Sequence, residues 1–151
     1  MSFVPRPVYL TDSFMLPVGK YNGSPRPDIS FFELVDALQG LLHNAAADPQ
    51  KIGCVVVGSQ NPFAFSGIDN VAAKVSGRLG ISGAKSLLVD TASSSGASAF
   101  EAAYLEVAAG QHDLVLAIGI QKMSDATTAA ATRIVAGVID RIGKLRCFLI
   151  G

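Results

Sequence analysis

The stretch from Leu87 to Gly96 most constrains this chain, because it has the pattern of a strand that passes directly into a helix. Leu87 to Val89 is an apolar, β-prone run, and Ser93 to Ser95 are small polar residues suited to cap a helix. A helical pattern then continues from Gly96 to Gly110. Helix N-termini carry a positive potential, and nucleophiles and oxyanions are commonly placed there. An ordinary βα loop has the same pattern, so the stretch by itself leaves both interpretations open.

The composition favours a buried core and argues against a charged partner. Of the 151 residues, 50% are hydrophobic and 16% are charged, so much of the chain must be buried against itself or a partner. Twelve basic residues balance twelve acidic ones, which argues against binding to nucleic acid or an anionic membrane. Pro5 and Pro7 break the first apolar stretch, and no apolar run approaches the roughly 20 residues of a membrane span. We therefore expect a cytoplasmic protein without nucleic-acid or membrane partners.

The cysteines and histidines offer no functional pattern in the sequence. Cys54 and Cys147 are too few for a disulfide framework or a metal site, so no metal is expected. Cys54 lies inside an apolar run and is expected to be an inert core residue. His43, near the end of the first predicted helix, and His112, in the loop after the third, are expected to have no catalytic role.

The order of the predicted elements indicates an α/β fold. Ser30 and Glu33 have the spacing of a capping box, and an apolar face follows at helical spacing: Phe31, Leu34, Val35, Leu38, Leu41 and Leu42. This alternation of strands and helices favours right-handed crossovers and a mostly parallel sheet with helices on both faces. In chain order we expect a short strand from Val8 that loosens at Pro17, a helix over Phe31–Leu42, a strand over Ile52–Gly58, a loop from Asn61 to Gly67, a helix over Ile68–Leu79, the strand Leu87–Val89, the helix that ends at Gly110, a strand over Leu114–Ile120, a short helix within Asp125–Ala136, and either a last strand or an apolar tail at Cys147–Ile150.

Three stretches, in order along the chain, match the motifs of one enzyme superfamily. Residues 16–24 (Leu-Pro-Val-Gly-Lys-Tyr-Asn-Gly-Ser) are similar to a Thr-Pro-Phe-Gly-Lys-Phe segment, and residues 90–96 (Asp-Thr-Ala-Ser-Ser-Ser-Gly) to a nucleophile turn that usually reads Ala-Cys-Ala-Ser-Gly or Val-Cys-Gly-Ser-Gly. Residues 108–124 are similar to a strand that continues into Gly-Gly-x-Glu-x-Met-Ser. Together they resemble the thiolase superfamily, nearest to its sterol-carrier-protein-type thiolases and acetyl-CoA acetyltransferases. The resemblance covers roughly Val4 to Asp125.

The resemblance implies an α/β fold that corresponds to the N-terminal half of a thiolase, truncated relative to the family. Residues 1–125 would form the thiolase-like domain, and residues 126–151 the start of a loop region or a divergent C-terminal tail. It also implies an enzyme of acyl-CoA (lipid) metabolism, in which a cysteine takes up an acyl group and passes it to coenzyme A or to an acyl-CoA carbanion. No tightly bound cofactor is implied; a coenzyme A thioester would be the substrate if the chain is active.

The chain differs from the family at the position of the nucleophile. Ser93 occupies the position of the nucleophilic cysteine, and Ser94, Ser95 and Gly96 would supply the oxyanion site at the helix N-terminus. A serine hydroxyl needs an adjacent base, and a helix terminus worth at most about 2 kcal/mol does not ionise it at neutral pH. The family's second-half Gly-His-Pro and Cys-x-Gly loops have no counterpart in this sequence. We therefore expect the chain to be inactive by itself.

Three functional hypotheses remain open at this stage. The first is a thiolase-like acyltransferase subunit or fragment, with the other half supplied by another chain and with Ser93 either natural or engineered. The second is a non-catalytic scaffold subunit, and the third is a cysteine-independent retro-aldolase that acts with a partner protein. The resemblance also implies a homo-oligomer through the strand before the nucleophile, whose contact residues would be Lys85, Ser86, Leu87, Leu88, Val89 and Asp90.

Overall fold

The computed structural model describes residues 5–16, 29–43, 45 and 48–137 of the chain. Short 3₁₀ turns at Pro49–Lys51, Ala92–Ser94 and Met123–Asp125 join some of the longer elements. The helices and strands are, in order, α1 (Phe31–His43), β1 (Cys54–Gly58), α2 (Pro62–Ser66), α3 (Val71–Arg78), β2 (Lys85–Val89), α4 (Ser95–Ala108), β3 (Val115–Gly119) and α5 (Thr128–Gly137).

The described residues form a three-stranded, fully parallel sheet in the order β2-β1-β3. Cys54 at the start of β1 pairs with Lys85 and Val115, and Gly58 at its end pairs with Val89 and Gly119. The central strand β1 is buried along its whole length. A parallel strand covered on both faces is expected to be continuously apolar, which is what the sequence Cys-Val-Val-Val-Gly provides.

Helices cover both faces of the sheet, as the sequence predicts. On one face, Val55 and Val57 pack with residues of α1 and α3, including Val35 and Val75. On the other face, Cys54 and Val56 pack with Ala99 and Ala103 of α4. Because alanines face the sheet on this side, α4 lies close to the strands.

The predicted first helix is confirmed, together with its cap. The N–H of Ser30 donates to Glu33 Oε2 at 2.7 Å, and the N–H of Glu33 donates to Ser30 Oγ at 3.3 Å. These two bonds form the reciprocal capping box that the spacing predicts. Among the described residues, no helix is both long enough and apolar enough to cross a bilayer.

The predicted strand that begins at Val8 is wrong for the residues that the structure describes. Residues 8–16 have no regular secondary structure, and Tyr9 and Leu10 are exposed. A β-prone run forms a strand only where a neighbouring strand accepts its hydrogen bonds, and this segment is held instead by Arg6, whose N–H donates to Ala108 O at 3.0 Å. Residues 17–24 and the run Cys147–Ile150 lie outside the described residues.

The predicted loop from Asn61 to Gly67 contains the short helix α2. The Asn61 side chain accepts the N–H of Ala64, and Pro62 occupies the first helical position. Asn followed by Pro is typical of a helix start as well as of a loop, and in this structure it begins a helix. The following helix α3 consequently begins at Val71 and not at Ile68.

Gly58 is the position where the packing of α4 is most sensitive to substitution. A Cβ on Gly58 would lie 2.3 Å from the carbonyl oxygen of Ser95, which is backbone and has no rotamer to change. We expect Gly58→Ala to lower the free energy of unfolding by about 1–3 kcal/mol, the usual cost of overpacking. The urea unfolding midpoint measures this loss.

Gly77→Ala is the matched control for that substitution. Gly77 lies within α3, and a Cβ there would meet nothing within 4 Å. Alanine forms helices better than glycine, so we expect Gly77→Ala to raise the free energy of unfolding by about 0.5–1 kcal/mol. Equal losses of unfolding free energy in Gly58→Ala and Gly77→Ala would contradict the close packing at Gly58.

A bidentate ion pair between α1 and α3 predicts how the stability of the fold depends on pH. Arg78 donates to the two carboxylate oxygens of Asp36 at 2.5 and 2.6 Å, and this hydrogen bonding lowers the pKa of Asp36 below its ordinary 3.8. A lowered pKa in the folded state gives stability that is present above the unfolded-state pKa and is lost as the pH falls through the folded-state value. Asp36→Asn should therefore be less stable than the parent chain at pH 7.

The pH range supplies the control for this prediction. The stability difference between Asp36→Asn and the parent should shrink below pH about 4, because Asp36 is then protonated first in the unfolded state and, at lower pH, in the folded state as well. Asp113→Asn, which removes a pair whose carboxylate side chain is 93% exposed, should show a weaker effect. Thermal unfolding followed by circular dichroism between pH 3 and 7 tests both statements, and a difference that persists unchanged at pH 3 would contradict them.

Candidate functional site

The strand-to-helix turn predicted from the sequence lies at the carboxyl edge of the sheet. Ser93 is in the 3₁₀ turn Ala92–Ser94, between the end of β2 and the start of α4. In open parallel sheets, ligands bind at the edge where the strands end. The position of Ser93 thus fits a binding or reacting group.

Local hydrogen bonds engage the side chains around Ser93 but not Ser93 itself. The N–H of Thr91 donates to Ser95 Oγ at 3.0 Å, and the Ser95 hydroxyl donates to Ala92 O at 2.7 Å. The Ser94 hydroxyl donates to Thr91 O at 2.8 Å. Ser93 is exposed, and its Oγ has no hydrogen-bond partner among the residues that the structure describes. Of the three serines, Ser93 therefore presents the hydroxyl that is available to a ligand.

The backbone before Ser93 is held in a strained conformation. Ala92 has φ of 56°, in the left-handed region that costs a non-glycine residue about 1–2 kcal/mol. The Asp90 carboxylate stabilises it, because Oδ1 accepts the N–H of Ala92 at 3.1 Å and Oδ2 accepts the N–H of Asn61 at 2.9 Å. The sequence analysis proposed Asp90 only as a dimer contact, so its role as anchor of the turn is a finding of the structure.

Three glycines let the first turn of α4 lie directly against the ends of β1 and β3. Gly58 contacts the carbonyl of Ser95, as described above. A Cβ on Gly119 would lie 3.6 Å from Gly96 Cα, so these two backbones also approach closely. The N-terminus of α4 therefore borders the carboxyl edge of the sheet without side chains between them, and its positive potential acts there.

Two clefts open along this edge. The smaller, of about 270 Å³, is lined by Ser93 together with Gly58, Ser59, Gln60, Ala92, Ser95, Gly96, Gly119, Ile120 and Gln121. The larger, of about 650 Å³, shares Gln60 and Ala92 with the first and adds Asn61, Asp90, Thr91, Arg133, Ile134 and Gly137. The smaller cleft offers backbone and hydroxyl groups, while Arg133 adds a cation to the larger cleft.

The smaller cleft has no base. Its lining residues, within the described part of the chain, include no histidine, lysine, cysteine or carboxylate. His112 and Cys54 belong to the opposite end of the strands, where β1 begins. Ser93 is therefore placed as a nucleophile would be placed, yet no described residue of this cleft is a base that would remove its proton.

Gln121 is a site residue that the sequence analysis missed. It stands where the quoted Gly-Gly-x-Glu-x-Met-Ser motif has its glutamate. Gln121 Oε1 accepts the N–H of Gln60 at 2.9 Å and the hydroxyl of Ser59 at 3.3 Å, which connects the ends of β3 and β1. Its amide holds the cleft wall in place, and unlike a carboxylate it brings no charge. The glutamine in place of the motif's glutamate was the sequence signal that could have identified Gln121 as a site residue.

A comparison with known protein families assigns most of the chain to one of them. The sequence model of the family "Thiolase, N-terminal domain" matches residues 8–146. This match continues beyond Asp125, where the resemblance of the motifs ends.

Curated relatives agree with the family match. The acetyl-CoA acetyltransferase of Methanothermobacter thermautotrophicus is 28% identical over 109 residues, which are 70% of this chain and 28% of the relative. The acetyl-CoA acetyltransferase of Methanocaldococcus jannaschii is 31% identical over 98 residues, which are 65% of this chain and 25% of the relative. The match thus spans about a quarter of the length of these relatives. With its parallel sheet and its strand-to-helix turn at Ser93, the chain belongs to the thiolase N-terminal domain family.

Proposed function

We propose that this chain forms the nucleophile-bearing part of a thiolase-type acyl-CoA site and transfers no acyl group by itself. The observation that carries this proposal is the position of Ser93, exposed at the N-terminus of α4 in a cleft without a base. The similarity to two acetyl-CoA acetyltransferases supports an acyl-CoA thioester as the ligand.

The reaction that such a site performs has clear requirements. The nucleophile attacks the thioester carbonyl, a new bond to the acyl carbon forms, and the C–S bond breaks to release coenzyme A, which takes up a proton. Of the three predicted donors, Ser94 and Ser95 already donate their N–H groups to Thr91 O, at 3.3 Å, and to Ala92 O. The N–H of Gly96, in the first turn of α4, would therefore donate to the oxyanion. A cysteine thiolate attacks without further help, whereas the Ser93 hydroxyl must first lose a proton to a base. The turn therefore supplies electrostatic stabilisation, and the missing step is deprotonation.

Placing a thiol at position 93 tests the proposal directly. We expect Ser93→Cys to form a covalent acetyl adduct with acetyl-CoA, detected by intact mass, while the unsubstituted chain forms none. The helix N-terminus should also lower the pKa of the new thiol by about 1 unit from the ordinary 8.5 or so. The pH dependence of iodoacetamide alkylation measures that shift.

Ser82→Cys is the matched control, since Ser82 is exposed before β2 at the other end of that strand. Its thiol should alkylate with an ordinary pKa and should take up no acetyl group. Both variants are best made with Cys147→Ser, which removes the cysteine outside the described residues. An adduct on neither Ser93→Cys nor the parent would contradict the acyl-CoA proposal and favour the scaffold hypothesis.

We also propose that a second copy of the chain pairs along β2, through Lys85 to Asp90. In the described part of the chain, β2 is an edge strand that pairs only with β1. Leu88 is 44% exposed on it, and α4 exposes Phe100, Tyr104 and Leu105. Unpaired strand edges and large exposed apolar residues favour association with another chain.

A charge on the β2 edge should therefore disrupt the association. We expect Leu88→Asp to shift the chain from dimer towards monomer in light scattering, because a carboxylate at the interface would be desolvated without a partner. Val135→Asp is the control, since Val135 on α5 is also 44% exposed. A parent chain that is already monomeric, or an equal effect of both variants, would contradict pairing along β2.

A further inference from the structure

Three potential metal ligands meet at the amino edge of the sheet, away from Ser93. Cys54 is the first residue of β1, Glu106 lies near the end of α4, and His112 follows in the loop before β3. One ligand atom from each, the thiol sulfur, a carboxylate oxygen and an imidazole nitrogen, lie within 4.8 Å of one another. Glu106 Oε2 lies 3.5 Å from His112 Nε2.

One carboxylate oxygen in this cluster is buried and unsatisfied. Glu106 Oε1 accepts a hydrogen bond from Lys85 Nζ at 2.6 Å, but Oε2 has no hydrogen-bond partner among the described residues. The Glu106 side chain is 14% exposed and Cys54 is fully buried. Buried polar atoms are usually paired, and an orphaned carboxylate oxygen beside a thiol and an imidazole has the surroundings of a cation ligand.

The histidine is held in place by backbone and by the N-terminal segment. A Cβ on Gly53 would lie 2.5 Å from His112 Nδ1, so the ring packs directly over this glycine. Arg6 donates from Nη2 to His112 O at 3.1 Å and from Nη1 to Asp113 Oδ1 at 2.9 Å. The loop and the ring are therefore positioned before any ligand binds, which lowers the entropic cost of binding.

We propose that Cys54, Glu106 and His112 bind a zinc ion. Thiolate, imidazole and carboxylate are the three donor types that zinc takes from proteins. Tetrahedral zinc, with a Zn–S bond of about 2.3 Å and Zn–N and Zn–O bonds of about 2.0–2.2 Å, places its ligand atoms about 3.3–3.6 Å apart. The ligand atoms of the cluster, which lie within 4.8 Å of one another, would therefore move closer by up to about 1.5 Å. Solvent would fill the fourth position.

The charges in the cluster are consistent with a divalent cation. Burial, and to a lesser extent Glu106, raise the pKa of the Cys54 thiol. Zinc would displace the thiol proton to solvent, and the thiolate and the carboxylate would then set two negative charges against the two of zinc and the one of Lys85. Lys85 can remain bound to Glu106 Oε1, which zinc does not need.

The zinc site would have a structural role. It would connect the start of β1, the end of α4 and the loop before β3, at the edge of the sheet opposite Ser93. The site therefore does not depend on the proposed acyl-CoA chemistry, and either proposal can fail without the other.

Cobalt titration of the EDTA-treated 151-residue chain tests the site. Co²⁺ bound to a thiolate gives a charge-transfer absorption in the near ultraviolet, and we expect one equivalent to produce it and Zn²⁺ to abolish it. At a zinc concentration a hundredfold above Kd, the melting temperature should rise by about 5–10 °C. No absorption and no rise in melting temperature would overturn the proposal and leave the cluster as an ion pair of Glu106 with Lys85.

The chain offers its own matched controls, because it has two cysteines and two histidines. Cys54→Ser should abolish the cobalt absorption and His112→Ala should weaken binding at least about a hundredfold, whereas Cys147→Ser and His43→Ala should leave it unchanged. An absorption that survives Cys54→Ser but is lost in Cys147→Ser would overturn the assignment.

Gly53→Ala tests the geometry without removing a ligand. The added methyl group would displace the His112 ring, and we expect a tenfold or larger loss of zinc affinity with the thiolate–cobalt absorption still present at saturation. Circular dichroism of each variant establishes that it is folded. Unchanged affinity in a folded Gly53→Ala chain would contradict the placement of His112 in the site.

Discussion

The close approach of α4 to the ends of β1 and β3 determines where the turn at Ser93 lies and how the carboxyl edge of the sheet is built. The backbone of Gly58 lies against the carbonyl of Ser95, and Gly96 lies against Gly119. Any side chain at these points would push the helix away from the sheet edge. Because the helix is held there, its N-terminus acts at the end of β2, and the turn that carries Ser93 has little freedom in where it can run.

That restriction explains why the turn is strained and why Asp90 anchors it. The chain must pass from the end of β2 into a helix packed close by, and Ala92 adopts a positive φ to do so. Asp90 offsets the cost by accepting the N–H groups of Ala92 and Asn61. The result is an exposed hydroxyl at a helix N-terminus in a cleft lined by neutral groups. Such a cleft would stabilise negative charge on a ligand, but none of its described residues would remove the proton of Ser93.

The two ends of the same strands have different chemistry. At the carboxyl edge, glycines, serines and amides leave room for a ligand and supply no titratable group to the smaller cleft. At the amino edge, Cys54, Glu106 and His112 are packed tightly and mostly buried. β1 spans the distance between them, about 13 Å for a strand of this length. Because β1 is the buried central strand, both edges are fixed relative to one another.

Local sequence patterns were enough to predict the alternation of elements, the capped first helix, the parallel sheet covered on both faces and the turn at Ser93. These features follow from local patterns: apolar runs, the spacing of Ser30 and Glu33, and small residues between a strand and a helix. Three features could be seen only in the folded chain: residues 8–16 form no strand, Asp90 anchors the turn while Gln121 connects the ends of β1 and β3, and Cys54 meets Glu106 and His112. The physical reason is that these outcomes depend on which distant backbones lie side by side, and parallel crossovers bring together residues whose sequence neighbours carry no sign of the contact.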